Sequence, residues 1–185
     1  MTLFHHSKMW RFLTPVILGL TASVALAASV HLKQNRNPTF VDQGLTLQAV
    51  GALSGLGNGD VVVSLVATGN PTATCTNPGT GEHQPAGQNP ASVTLTGVQA
   101  IPEDEIKNGN VAFNVTTSAP TSPVPGAPAC PNRQWTESIT NVAFTTATIT
   151  VEQPAGTTVL TVTCTFSSPT TNGAVPQGSV TCSSS

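Results

Sequence analysis

Tyrosine is absent from this sequence, tryptophan occurs twice, and charged side chains make up only 8% of it. Each shortage closes off a class of function. With Lys8 and Arg11 of the amino-terminal segment set aside, the cations are Lys33, Arg36, Lys107 and Arg133. These four, scattered along the chain, stand against eight acids, a net charge of about −4. Phosphate backbones and anionic lipid surfaces are held by clustered Lys and Arg, so neither nucleic acid nor a charged membrane surface is an expected partner. Scarce aromatics argue against a catalytic sugar cleft. No C-x-x-C pair is present and the histidines lack metal-ligand spacing, so no metal, redox site or other cofactor is expected.

Long hydrophobic runs are confined to the beginning. Lys8 and Arg11 precede an uncharged apolar run from Phe12 to Ala27 that contains Pro15 and ends in Ala25-Leu26-Ala27, small enough for signal peptidase. The run falls short of the ~20 residues that cross a bilayer. The expectation is a signal peptide over residues 1–27, cut after Ala27, and a secreted chain with no membrane span after cleavage. Its destination is extracellular or the cell surface, with the periplasm as the alternative.

Low charge combined with abundant Thr, Ser, Gly and Pro resembles disorder, but disordered chains pair low hydrophobicity with high net charge. Here Val, Ile, Leu and Phe come in strand-length blocks. In Asp60 to Thr68, Val61, Val63 and Leu65 alternate with Val62, Ser64 and Val66, the two-sided apolar pattern of a central strand. Further strands are expected at Thr39 to Asp42, Leu45 to Leu53, Ser92 to Gln99, Asn110 to Thr117, Ile139 to Val151, Thr157 to Ser167 and Ser179 to Cys182. The spacing predicts an all-β fold: an antiparallel, immunoglobulin-like β-sandwich in layered architecture, with long disulfide-stapled loops. Residues 28–37 read as a flexible leader and 38–185 as one domain.

Asn58-Gly59 suits a tight turn, which predicts a hairpin between the second and third strands. The chain is expected to turn at Gly69-Asn70-Pro71 and to wander from Gly69 to Pro90 with no strand beyond Thr72 to Thr76. A second irregular stretch covers Ser118 to Gln134. Between Gln99 and Asn110, Pro102-Glu103-Asp104-Glu105 reads as one helical turn crossing between sheets, ended by Asn108-Gly109 with positive φ. Ile101 and Ile106 would plug the sandwich edge.

Four cysteines in an exported chain make two disulfides, and count alone allows three pairings. Pairing Cys75 with Cys130 is favoured because both lie in Pro, Asn and Thr-rich loops. Cys164 with Cys182 has a local argument. Leu160, Val162, Cys164 and Phe166 share one strand face, and an antiparallel return around Asn172-Gly173 sets Cys182 opposite Cys164.

Candidate chemistry is sparse. His31 and His83 are the imidazoles after Ala27; the first lies beside the predicted new N-terminus, and the second sits next to Glu82 in a loop. No G-x-S-x-G elbow surrounds a serine, so no catalytic residue is assigned. Asp60, Glu137 and Glu152 are candidates for paired carboxylates only if folding brings them together. Glu103-Asp104-Glu105 lacks the spaced ligands of a calcium loop, and Gly55 to Asp60 matches a calcium-binding β-roll repeat only out of register. Trp135, beside Arg133, offers a ring that stacks on a sugar or anchors a protein, with Asn132 and Gln134 as polar neighbours for a ligand. Thr94-Leu95-Thr96, Thr146-Ala147-Thr148 and Thr161-Val162-Thr163 are threonine ladders of the kind found on flat ice-binding faces. Threonine is also a favoured solvent-facing strand residue, and no sequence repeat accompanies them.

The segments SGLGNGD (Ser54 to Asp60), TATCTNPG (Thr72 to Gly79), IPEDEIKNG (Ile101 to Gly109) and PGAPACPN (Pro125 to Asn132) together resemble a group of small secreted bacterial β-rich proteins. The resemblance covers roughly Pro38 to Gln153 and is most specific around Cys75 and Cys130. It implies bacterial export with those two cysteines paired, and no activity. The functional expectation is a non-enzymatic structural or interaction module at or outside the cell surface, meeting a protein or a surface polysaccharide. The alternative is a carbohydrate-binding module using Trp135; a hydrolase with an unrecognised site is third.

Overall fold

The computed structural model describes residues 29–81, 83–85, 91–121, 130 and 134–185. The segment expected to be a signal peptide, Glu82, Asn132 and Arg133 lie outside them. Eleven strands follow in chain order: β1 (His31–Leu32), β2 (Thr39–Asp42), β3 (Leu47–Ser54), β4 (Val61–Thr76), β5 (His83–Pro85), β6 (Val93–Ile101), β7 (Asn110–Thr116), β8 (Thr136–Glu152), β9 (Thr158–Phe166), β10 (Gly173–Ala174) and β11 (Val180–Ser184). Among the described residues the helical structure between them is limited to short 3-10 turns.

Two antiparallel sheets result. In the first, β3 is central, with β7 along one side and β1 and β2 along the other; β10 adds to β2. The second runs β11-β9-β8-β4, and the far side of β4 carries β6 and then β5. The all-β, two-layer architecture is the one that strand-length alternation dictates. Val61, Val63, Leu65 and Ala67 of β4, Ile149 and Val151 of β8 and Leu160 and Val162 of β9 point inward. They meet Phe40, Leu47, Leu53, Phe113 and Val115 of the other sheet in one continuous core. At about 1.5–3 kcal/mol for each large apolar side chain fully buried, this core is the main favourable term in folding. Phe40 and Phe166 meet edge to face across the sheets, 5.2 Å between centroids.

The sheets are also joined by polar contacts. Asp42, 1% exposed, accepts hydrogen bonds from the Gly44 amide (2.8 Å) and from Thr170 Oγ1 (2.5 Å). Thr170 Oγ1 in turn accepts the Phe144 amide at 2.8 Å, and the Thr170 amide donates to the Phe144 carbonyl at 2.9 Å. This knot of buried, mutually satisfied groups links β2, β8 and the segment after β9.

Several expectations give way. β3 and β4 belong to different sheets, so residues 55–60 form a crossover rather than a hairpin. Its turn is held by the side chain of Gln153, which accepts the Gly57 amide and donates to the Gly57 and Gly59 carbonyls. The chain does not turn at Gly69-Asn70-Pro71. β4 passes straight through on bulges against β8 at Thr68/Gly69 and Thr72/Ala73. Gly69 allows this because a Cβ there would lie 2.7 Å from Val142 Cγ1 and 2.9 Å from the Ala143 carbonyl. The wandering loop also contributes β5. Part of the 28–37 stretch, read from sequence as a leader, is built into the sandwich: β1 pairs with β3, and Val30 and Leu32 are in the core. The 3-10 turn Glu103–Glu105 stands where the helical turn was expected, with Asn108 at φ 52° and Gly109 at φ 72° behind it and Ile101 buried.

Both disulfides are present: Cys75 with Cys130, and Cys164 with Cys182. In the second, the cysteines are direct cross-strand partners of β9 and β11. The intervening chain does more than turn at Asn172-Gly173, because β10 reaches over to pair with β2 in the opposite sheet.

Candidate functional site

Two places could meet a partner. The first is the stapled end of the β4–β8 ribbon. Beyond the last rungs with β6 (Gly69 and Val93) and β9 (Thr146 and Thr165), these two strands continue as a ladder to the Thr76 and Thr136 rung. Cys75, buried, lies opposite Glu137 and is bonded to Cys130. Trp135, half-buried, immediately precedes β8, with exposed Gln134 before it. Glu137 Oε1 is buried there without a hydrogen-bond partner among the described residues. The third residue of the expected contact set, Asn132, is outside the described residues.

The remaining sequence candidates do not converge. Asp60 Oδ1 accepts the Glu103 amide at 2.9 Å and so anchors the 3-10 turn. Glu152 Oε2 accepts the Gly156 amide at 2.8 Å in the β8–β9 turn, while Glu137 belongs to the opposite end of the ribbon. His31 is exposed, its Nδ1 2.8 Å from the Ser29 carbonyl, and the backbone of His83 forms part of β5. Among the described residues no three of His, Cys, Asp and Glu group as metal ligands.

The second place is the outward face of the six-stranded sheet, where strand pairing assembles what sequence reading met only in fragments. Because registered partners project to the same side, the rungs can be followed across five strands in the order β6, β4, β8, β9, β11. One row is Thr94, Thr68, Thr146, Thr165, Thr181; the next is Thr96, Val66, Thr148, Thr163, Ser183. A third begins Val98, Ser64, Thr150, Thr161. No charged or aromatic side chain interrupts these rows. The two large hydrophobics exposed among the described residues, Val66 (38%) and Val98 (67%), both belong to this face. The signal that could have found it is the T-x-T-x-T pattern of Thr146 to Thr150 and again of Thr161 to Thr165, which antiparallel pairing turns into three Thr–Thr rungs.

Two disulfides and no free cysteine among the described residues fit an oxidising, extracytoplasmic environment. None of the described helices is long and apolar enough to cross a membrane. Comparison with protein-family models, with curated proteins and with solved structures finds no match.

Proposed function

We propose that the protein is secreted and acts by contact, as a non-enzymatic structural or interaction module at or outside the cell surface. The observation that carries this reading is the set of three uncharged rows of threonine, serine and valine across β6, β4, β8, β9 and β11, with Glu152 at their border in the next rung. A solvent-facing sheet of a soluble protein normally mixes in charge. The resemblance to small exported bacterial proteins and the two disulfides support the location, and the paired antiparallel layers support an immunoglobulin-like architecture. Protein purified after export of the full chain is expected to engage an insoluble surface or a partner through this face, with loss of contact in Thr148→Lys/Thr163→Lys. Turnover of ester, peptide or glycoside substrates by the purified protein would overturn the reading.

A carbohydrate-binding module is the second reading, favoured by the placement of Trp135 and Gln134 immediately before β8 at the stapled ribbon end. Retention on insoluble polysaccharide or peptidoglycan that is lost in Trp135→Ala and kept in the lysine pair would select it.

A further inference from the structure

We propose that the outward face of the six-stranded sheet is an ice-binding surface, whose ligand is ordered water. The proposal deepens the contact reading above and rests on it.

The geometry is a grid. Neighbouring strands are about 4.8 Å apart and alternate residues about 6.7 Å apart along a strand. The rungs Thr146–Thr165, Thr148–Thr163 and Thr150–Thr161 therefore repeat a hydroxyl and a methyl at each node of a two-dimensional net. Thr68 and Thr94 extend the first rung toward one side, and Thr181 extends it toward the other. β-Branched side chains have restricted χ1, so the groups hold their positions without a partner. Beneath the grid, on the inward side, Ala147, Cys164 and Cys182 are in register, and the Cys164–Cys182 bond ties β9 to β11 at the level between two rows. A slip of one residue would turn the threonines inward, and the bond opposes that slip.

The chemistry of the face selects the occupant. Thr68 and Thr94 share one hydroxyl contact at 3.4 Å, and among the described residues no side-chain bond engages the hydroxyls of Thr146, Thr148, Thr150, Thr163 or Thr165. Each of these can donate once and accept twice. Covering them with another polypeptide costs about 1–3 kcal/mol for every hydroxyl left unpaired. Within the three rows a sugar ring finds no aromatic to stack on and an ion finds no charge; the bordering Glu152, in the next rung, would repel a phosphate. A lattice of water offers donors and acceptors at regular intervals and leaves room for methyl groups between them. It satisfies the hydroxyls and needs no charge. Sheet twist rotates neighbouring strands by about 20–25°, so the net is flattest over the adjacent pair β8 and β9 and turns away outward. The expected activity is therefore adsorption to ice and inhibition of recrystallisation, with little depression of the freezing point.

The test uses protein purified after export of the full chain. Grain growth is followed in annealed ice films, and labelled protein is partitioned between growing ice and liquid. Wild type is expected to restrain grain growth and to concentrate in the ice. Thr148→Lys/Thr163→Lys is expected to abolish both effects, whereas Ala112→Lys, exposed on the other sheet, leaves them unchanged. Circular dichroism and intact mass confirm fold and disulfides in each variant. Grain growth equal to that in an inert protein control overturns the proposal. If that failure is accompanied by a dimer, or by retention on a solid polysaccharide, that the lysine pair destroys, the contact reading stands and only its ligand is wrong. If the lysine pair changes nothing in any assay, both readings fall.

Discussion

Replacing Gly97 by alanine is expected to unfasten one side of the sandwich. The inward side of Gly97, in β6, faces the end of β7 so closely that a Cβ would lie 2.0 Å from the Thr116 carbonyl oxygen, 2.6 Å from its carbon and 2.9 Å from the Thr117 nitrogen. All three are backbone atoms, so no rotamer change relieves the clash. To reach even the 3.0 Å that real Cβ atoms essentially never go below, the strands must separate by about 1 Å. Overpacking of this kind costs about 1–3 kcal/mol. The movement also strains the bonds that hold β7 and the residues just after it to β6: the Ser118 amide and hydroxyl on the Thr96 carbonyl (2.8 and 3.1 Å) and the Asn114 amide on Gln99 Oε1 (2.7 Å). At about 1 kcal/mol each, and with the entropic benefit of removing a glycine being under about 1 kcal/mol, the net loss is about 3–5 kcal/mol. For a chain of this size that lowers the melting temperature by roughly 10 °C. Urea unfolding with the disulfides intact measures it, with Gly178→Ala as the comparison, since a Cβ at Gly178 meets nothing within 4 Å. If Gly97→Ala unfolds within about 0.5 kcal/mol of Gly178→Ala, a typical surface-substitution range, the close crossing of β6 and β7 is refuted.

Thr170→Val keeps the shape but strips a donor from the buried Asp42 carboxylate and an acceptor from the Phe144 amide. A loss of about 2–4 kcal/mol is expected, against about 1 for Thr170→Ser, which keeps the hydroxyl; equal urea midpoints for the two would contradict the network. Removing the disulfides pairwise should cost about 4 kcal/mol for Cys75→Ala/Cys130→Ala, which opens a 55-residue separation, and about 3 for Cys164→Ala/Cys182→Ala, which opens 18. Thermal unfolding of the two double variants gives the order, and the reverse order would mean that native packing, not chain entropy, dominates.

The strands that were legible in the sequence are those whose alternation separates a core face from a water face. β9 is the clearest, with Leu160, Val162, Cys164 and Phe166 inward and threonines between. The same parity argument put Cys164 opposite Cys182. What misled was local punctuation read without its partners. Gly69-Asn70-Pro71 has the composition of a turn, yet β8 supplies a matching bulge and the strand continues. Asn58-Gly59 has the composition of a hairpin, but its neighbours pair into different sheets. The threonine face was visible only as three short ladders because neighbours within a row come from segments as far apart as Thr68 and Thr146. A grid spread over non-consecutive strands has no period along the chain.

The Cys75–Cys130 bond also changes the order in which the molecule can be assembled. Thr76 and Thr136, the terminal rung of the longest ladder, are separated by the whole of β5, β6 and β7. Through the bond they are near neighbours, one residue beyond Cys75 and six beyond Cys130. Loop closure is the slow, entropically costly part of pairing distant strands. Once oxidised, the chain has that closure built in, and β4 and β8 can zip from the stapled end as a hairpin would. The reduced chain must instead find the same register by diffusion, with both long apolar strands open to other chains in the meantime. Formation of this bond thus converts the protein from a slow, non-local folder into one whose central ladder is kinetically local.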